Sequence, residues 1–390
     1  MESTPQTRAA HRRCISEISS EIEKLESEFA LAQAALRAEQ KYYQDHLGAY
    51  KYPVLTLPSE VVSEIFLQCI PVYPARPRLV GDFPENLAQI CRRWRGIALG
   101  TPALWQGLHI PHTALTAGAS TAVERWLDRS RTLPLSIRVD CVGEDGRHNH
   151  NCLLSIGAVV ERLLVHRARW QYAALRLQYQ EAALIAGDFP RLVEIDLHSS
   201  MDTFTEVTVP KLTEAYLWQG YNTFEPRKLP WGQLTSLSLA EFFNEVAVEI
   251  LRHTQALVRC RLDIIVNDDH VPVERVHIAS LKTLILHFSP NTTNLLQEDV
   301  IQGLLQELHM PNLKSLFIHG DVALEVDQRL PRLSSAIDGF GCQLERLCIA
   351  RPGIPVQDCV DTFPGIAQVE VVENFVPDWK TWGYWNLQDE

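Results

Sequence analysis

Residues 281–286 read Leu-Lys-Thr-Leu-Ile-Leu, and the spacing L-x-x-L-x-L recurs along the second half of the chain. It returns at Leu192, Ile195, Leu197; Leu212, Ala215, Leu217; Leu234, Leu237, Leu239; Leu257, Cys260, Leu262; Leu313, Leu316, Ile318; Leu344, Leu347, Ile349; and Ile366, Val369, Val371, with Tyr172, Leu175, Leu177 opening the series. First positions 172, 192, 212, 234, 257, 281, 313, 344 and 366 are separated by 20, 20, 22, 23, 24, 32, 31 and 22 residues. A unit that recurs at such a period cannot bury its apolar face alone, so neighbours must stack. Inside each motif the apolar places alternate with outward ones, as a short strand requires. Pro190, Pro210 and Pro311 stand just ahead of their motifs, so each unit reads as loop, strand and return segment. The longer steps contain Val300, Ile301, Leu304, Leu305 and Leu308 on one helical face and Leu330, Leu333 and Ile337 on another, which gives the late units helical backs. An α/β domain with coincidental leucines is the alternative.

Upstream, Leu57 to Trp105 opens LPSEVVSEIFLQC and closes NLAQICRRWRGIALGTPALW. Val61, Val62, Ile65, Phe66 and Cys69 share one helical face, and Pro58 stands where a first turn tolerates a missing N–H. Leu87, Ile90, Cys91, Trp94 and Ala98 form the stripe of a second helix, stopped by Gly100 and Pro102. Spacing alone describes a helical hairpin. The residues themselves say more: Leu57, Pro58, Glu60, Val61, Ile65 and Phe66 resemble the opening of an F-box, and Cys91, Trp94, Pro102, Leu104 and Trp105 resemble its ending. The chain is similar to the F-box proteins of mushroom-forming fungi, which place a helical segment in front and degenerate leucine-rich repeats behind. It departs from many F-boxes in the long loop carrying Pro71, Pro74, Pro77 and Pro84. It departs from leucine-rich repeats where Asn or Cys usually follows the strand, because Ser200, Gly220 and Asp321 stand there instead.

The resemblance implies an α/β chain in four parts. Residues 1–48 are a heptad helix, 53–110 a small helical F-box, 111–171 a connecting region and N-terminal cap, and 172–390 a degenerate leucine-rich-repeat solenoid with a parallel strand face and a C-terminal cap. It also implies a substrate-recognition adaptor of an SCF-type ubiquitin ligase. The F-box residues would bind a Skp-family linker and through it a cullin scaffold, and the repeats would hold a target protein. A scaffold outside ubiquitination, assembled through the heptad helix and the repeats, is the alternative.

In that helix Ile15, Ile18, Ile22, Leu25, Phe29, Ala32 and Leu36 alternate steps of three and four, with Glu17, Glu21, Glu23, Lys24 and Glu28 around them. The stripe needs a partner: a second copy through 15–36, another protein, or the rest of the chain.

Composition narrows the function classes. With 36 basic and 48 acidic residues the net charge is −12, against a nucleic-acid footprint, which needs concentrated positive charge. No run of about 18 apolar residues exists and the first thirty residues carry charges, so cytoplasm or nucleus is expected rather than membrane or secretion. The nine cysteines are scattered, several on apolar stripes such as Cys69, Cys91 and Cys260, and are expected to be buried thiols. No catalytic signature is found, and no cofactor is expected. His148, His150 and Cys152 lack a CxxC or HxxxH partner for a metal, Gly143 and Gly146 lack the Lys-Ser/Thr of a phosphate cradle, and Asp268 and Asp269 read as a solvated loop. Phe375, Trp379, Trp382, Tyr384 and Trp385 suit a cap on the repeat stack or a recognition peptide.

The outward places of the strands should carry target recognition. Glu194, Asp196 and Glu214 are acidic, Arg259 and Arg261 basic, and Ile285 and Phe317 apolar. Arg259, Arg261, Tyr216 and Phe317 are the candidate target contacts.

Overall fold

A computed structural model of the chain describes residues 5–49, 53–70, 83–116, 118–141, 152–177, 179–198, 207–218, 229–265, 275–289, 303–319, 329–350 and 355–372. The tracts around His148 and Asp268, the glycines Gly143 and Gly146, the loop prolines Pro71, Pro74 and Pro77, and the closing aromatics lie outside them, as do Ser200, Gly220, Asp321, Val300 and Ile301. By its internal contacts the chain divides into Met1–Val61 and Val62–Glu390.

The first unit is dominated by α1, Pro5–Ala49, a 45-residue helix. Residues 6–47 contain no Gly or Pro and are rich in Ala, Glu, Gln and Arg, whose side chains lose little freedom in a helix. At the unit's end α2 (Ser59–Gln68) begins just after Pro58 and runs on into the second unit.

There follow α3 (Phe83–Ile90), α4 (Arg92–Gly100) and a 3-10 turn at Pro102–Trp105. The rest is built on one sheet. Its first strands are β1 (Gly107–Ile110), β2 (Leu135–Asp140) and β3 (Trp170–Arg176). Between them lie α5 (Ala119–Arg129) and α6 (Cys152–Val165), which pack together. A short α7 (Tyr179–Ala182) follows β3. Each later unit then supplies one strand: β5 (Glu194–His198), β7 (Glu214–Trp218), β8 (Ser236–Phe243), β9 (Arg259–Ile265), β11 (Thr283–Ser289), β13 (Ser315–His319), β14 (Arg346–Ala350) and β15 (Gln368–Val372). Among the described residues the main sheet has 11 strands in the order β1-β2-β3-β5-β7-β8-β9-β11-β13-β14-β15, all parallel and in chain order. Helices α8 (Asn244–Arg252), α9 (Arg329–Phe340) and α10 (Val356–Thr362) return the chain in late units. Gly341, φ +71, ends α9 in the left-handed conformation, and a Cβ there would meet the His309 ring at 2.6 Å.

The motif's apolar places build the core. In register, Leu217 faces Leu239, Leu239 faces Leu262, Leu284 faces Leu316 and Leu316 faces Leu347. All of these are almost completely buried. Each such side chain contributes about 1.5–3 kcal/mol relative to an exposed one, which fixes the face each strand turns inward.

Short strands precede some units. The pair β4 (Gly187–Asp188) and β6 (Val207–Thr208) precedes Phe189 and Val209, and the pair β10 (Val276–His277) and β12 (Leu308–His309) precedes Ile278 and Met310. A tight turn then closes from the amide of the motif's first Leu to the carbonyl three residues back: Leu192 to Phe189 (3.2 Å), Leu212 to Val209 (3.2 Å) and Leu313 to Met310 (3.1 Å). Pro190, Pro210 and Pro311 occupy the second turn position, where a fixed φ near −65° suits the turn and no N–H is needed.

Side chains in these turns tie neighbouring units together. Gln233 Nε2 donates to Val209 O (3.0 Å) and Leu212 O (2.9 Å), Ser280 Oγ to Leu257 O (2.8 Å), and Asn312 Nδ2 to Ala279 O (2.7 Å). These bonds precede the strand, whereas the sequence pattern directs attention to the residue after it.

Candidate interaction surfaces

Helices α2, α3 and α4 are organised by aromatic and hydroxyl contacts. Phe66 is buried and meets Trp94 edge-on, ring centroids 5.0 Å apart. Thr101 Oγ1 donates to Ile97 O (2.8 Å) and lies 3.1 Å from Ser63 Oγ, a hydroxyl contact between α2 and the end of α4.

The single helix expected over Leu87 to Ala98 is broken at Cys91. Its backbone is extended (φ −154, ψ 166) and its Sγ accepts from Trp94 N at 3.4 Å, capping α4. The break leaves Leu87 and Ala98 buried but turns Ile90 out, 61% exposed. Of the thiols expected inside, Cys141, Cys260, Cys348 and Cys359 are buried, Cys91 and Cys342 are half-buried, and Cys14 and Cys69 are exposed; burial raises the pKa of Cys260.

At the end of the segment Leu104 and Trp105 are fully buried. Trp105 Nε1 donates to Ala98 O (2.8 Å), and its own carbonyl accepts from Trp126 Nε1 (2.9 Å). The two indoles meet edge to face at 4.8 Å, and the Arg129 guanidinium lies 4.3 Å from the Trp105 ring centre.

The residues expected to bind a linker therefore fall into two sets. Phe66, Leu104 and Trp105 are core, and Leu57, Cys91, Trp94 and Pro102 are half-buried. Pro58, Glu60, Val61 and Ile65 are exposed, Ile65 by 43%. Val61 and Ile65 are i and i+4 on α2, one turn apart on the same side.

The second surface is the strand face opposite the leucines. Its middle row runs His109, Arg138, Ala174, Asp196, Tyr216, Ser238, Arg261, Ile285, Phe317, Cys348 and Glu370. The candidate target contacts all lie on this face, but three are covered: Tyr216, Arg261 and Phe317 are each buried. Arg259 is half-buried and occupied, its Nε donating to Ser236 Oγ (3.0 Å) and its Nη2 3.6 Å from Glu214. Ile285, Phe317 and Cys348 form a closed apolar cluster against which Val372 packs. The late part of the face is therefore a second core and not an open apolar patch. Alternation in sequence shows which way a side chain points and cannot show what lies over it.

Its early part is more open. Asp196 is exposed, and His109, Arg138, Tyr172, Arg176, His198 and Trp218 are half-buried. Asp140 accepts from Arg138 Nε (2.8 Å) and His109 Nε2 (2.9 Å), with Arg176 Nε at 3.6 Å. Burial pushes its carboxyl up, but those two hydrogen bonds and the two arginine charges outweigh it and hold it below the ordinary value.

His198 stacks on Trp218, centroids 3.8 Å apart. Burial first, then the Arg176 charge, lowers its pKa to about 4, so the folded state favours the neutral ring. The stability this gives is complete above the unfolded value near 6.5 and is lost as pH falls toward 4. At pH 4.5 the loss should be about 2 kcal/mol, and His198→Phe should remove that part of the acid dependence. Urea unfolding of both proteins at pH 7 and pH 4.5 checks this; equal pH dependence would show that His198 is not the group involved.

Among the described residues no group of three or more His, Cys, Asp or Glu side chains stands close enough to hold a metal ion. None of their helices is long and apolar enough to cross a membrane. Compared with known proteins, the chain matches no family model and no curated protein.

Proposed function

We propose that the chain is an adaptor of an SCF-type ubiquitin ligase, with α2 docking on a Skp-family linker and the more open early part of the strand face holding a target. The observation that carries the reading is the division of the F-box-like residues. Phe66, Leu104 and Trp105 face inward and hold the segment together, while Val61 and Ile65 leave an apolar strip of α2 exposed beside Pro58 and Glu60. An adaptor of this kind performs no bond chemistry. It raises the effective concentration of a target lysine near a charged conjugating enzyme.

Purified full-length chain should bind a Skp-family protein of the same organism directly. Ile65→Asp should weaken that binding about 100-fold, since it places a carboxylate in the centre of an apolar contact. Because Ile65 is 43% exposed, the variant should unfold at nearly the same urea concentration as the parent. Failure of the folded chain to bind any such linker would end the adaptor reading. A scaffold outside ubiquitination then becomes the better account, favoured by the exposed apolar stripe of α1.

A further inference from the structure

Nothing among the described residues of the first unit covers the stripe of α1: Ile15 is 63% exposed, Ile22 49%, Leu25 56% and Phe29 69%. The flanks of that stripe select its partner. With Ile15, Ile22, Phe29 and Leu36 as a and Ile18, Leu25 and Ala32 as d, the e and g places between 19 and 35 hold Ser19, Glu21, Glu26, Glu28, Gln33 and Ala35. Every ionisable residue among them is a glutamate.

Pairing with a second copy repeats that charge. A parallel in-register pair sets Glu21 of each helix against Glu26 of the other, because g faces the next e. An antiparallel pair centred between residues 23 and 24 sets Glu21 against Glu28 twice. Centred on residue 27 it sets Glu26 against Glu26 and Glu28 against Glu28. An antiparallel pair centred on residue 20 does bring Glu26 to Arg12. There, however, Phe29 meets His11 and Ala32 meets Arg8, so apolar residues face one another only at Ile15, Ile18, Ile22 and Leu25. In each of these registers self-association either accepts repeated carboxylate pairs or gives up part of the seam. A helix with apolar a and d places and Lys or Arg at e and g does neither.

We propose that α1 is a docking helix for a basic heptad helix of another protein, the two forming a heterotypic coiled coil over residues 15–36. The inference does not depend on the linker reading, since α1 and α2 are separate elements.

The test uses full-length chain and two synthetic four-heptad peptides, both with Ile at a and Leu at d, one with Lys and one with Glu at every e and g. The Lys peptide, kept from pairing with itself by its own charge, should bind one to one. The Glu peptide should bind at least roughly tenfold more weakly, and added salt should narrow the gap. The triple variant Glu21→Lys, Glu26→Lys, Glu28→Lys should invert the preference. Equal affinity for both peptides, or binding of neither, overturns the proposal. So does a parent chain that sediments as a dimer at micromolar concentration and becomes monomeric with Ile22→Asp, because the occupant is then a second copy.

Discussion

Trp105→Ala is expected to destabilise the second unit by about 3–5 kcal/mol, the upper range for emptying a buried aromatic site. Three losses coincide in it. The cavity opens at a fully buried position, the Ala98 carbonyl loses the indole donor 2.8 Å away, and Trp126 and Arg129 lose the ring they pack on. The Trp105 carbonyl, which accepts from Trp126, remains. Trp105→Phe keeps most of the apolar volume and deletes the N–H, so it should cost less than the alanine variant. Because the two indoles touch, the Trp105→Ala, Trp126→Ala double variant should lose less than the sum of the single losses. Urea unfolding midpoints check all of these, and a change below about 1 kcal/mol for Trp105→Ala would show that the ring is not the centre of this packing.

The second large effect belongs to the strands. Leu316 is completely buried, with Leu284 on one side and Leu347 on the other in the same register row. Leu316→Ala should cost about 2–5 kcal/mol, and Leu284→Ala a similar amount. Lys314→Ala, two residues away, provides the comparison. Lys314 is exposed and its 2.6 Å contact with Glu345 joins two side chains that are each more than half exposed, so its loss should fall within about 0.5 kcal/mol. If Leu316→Ala and Lys314→Ala unfold at the same denaturant concentration, the inward assignment of the motif is wrong.

The repeat positions were legible because a strand has only two faces. Once Leu284 and Leu286 are apolar at alternate places, burial of one face determines the other, and the same holds from β3 to β14, whereas in β15 Val369 and Val371 are only half-buried. Strand β2 alternates in sequence, Leu135, Ile137 and Val139 with Ser136, Arg138 and Asp140, but Pro134 and not a leucine stands three places before Ile137, so it does not match the repeat spacing, and β1 is only four residues long. The kink at Cys91 escaped for a related reason. The apolar spacing through Leu87, Cys91, Trp94 and Ala98 fits one continuous helix, and only a local choice, a thiol accepting from Trp94 N, divides it. The F-box-like residues were visible as a group but not as two sets, since Phe66 and Ile65 differ in burial and hardly at all in type. The candidate target contacts were the least legible: Tyr216, Arg261 and Phe317 stand at outward places of their strands yet are buried, and alternation does not encode that.

Strand order equal to chain order has a consequence for how this protein is made. No strand waits for a distant segment, because each pairs with the one synthesised before it, and the intervening loops stay short enough that closing them costs little entropy. A chain leaving the ribosome can therefore add strands one at a time onto an edge that is already in place. The leading edge moves along with synthesis while β1 stays at the other end of the sheet, so the strand open to the next pairing is always the one most recently added.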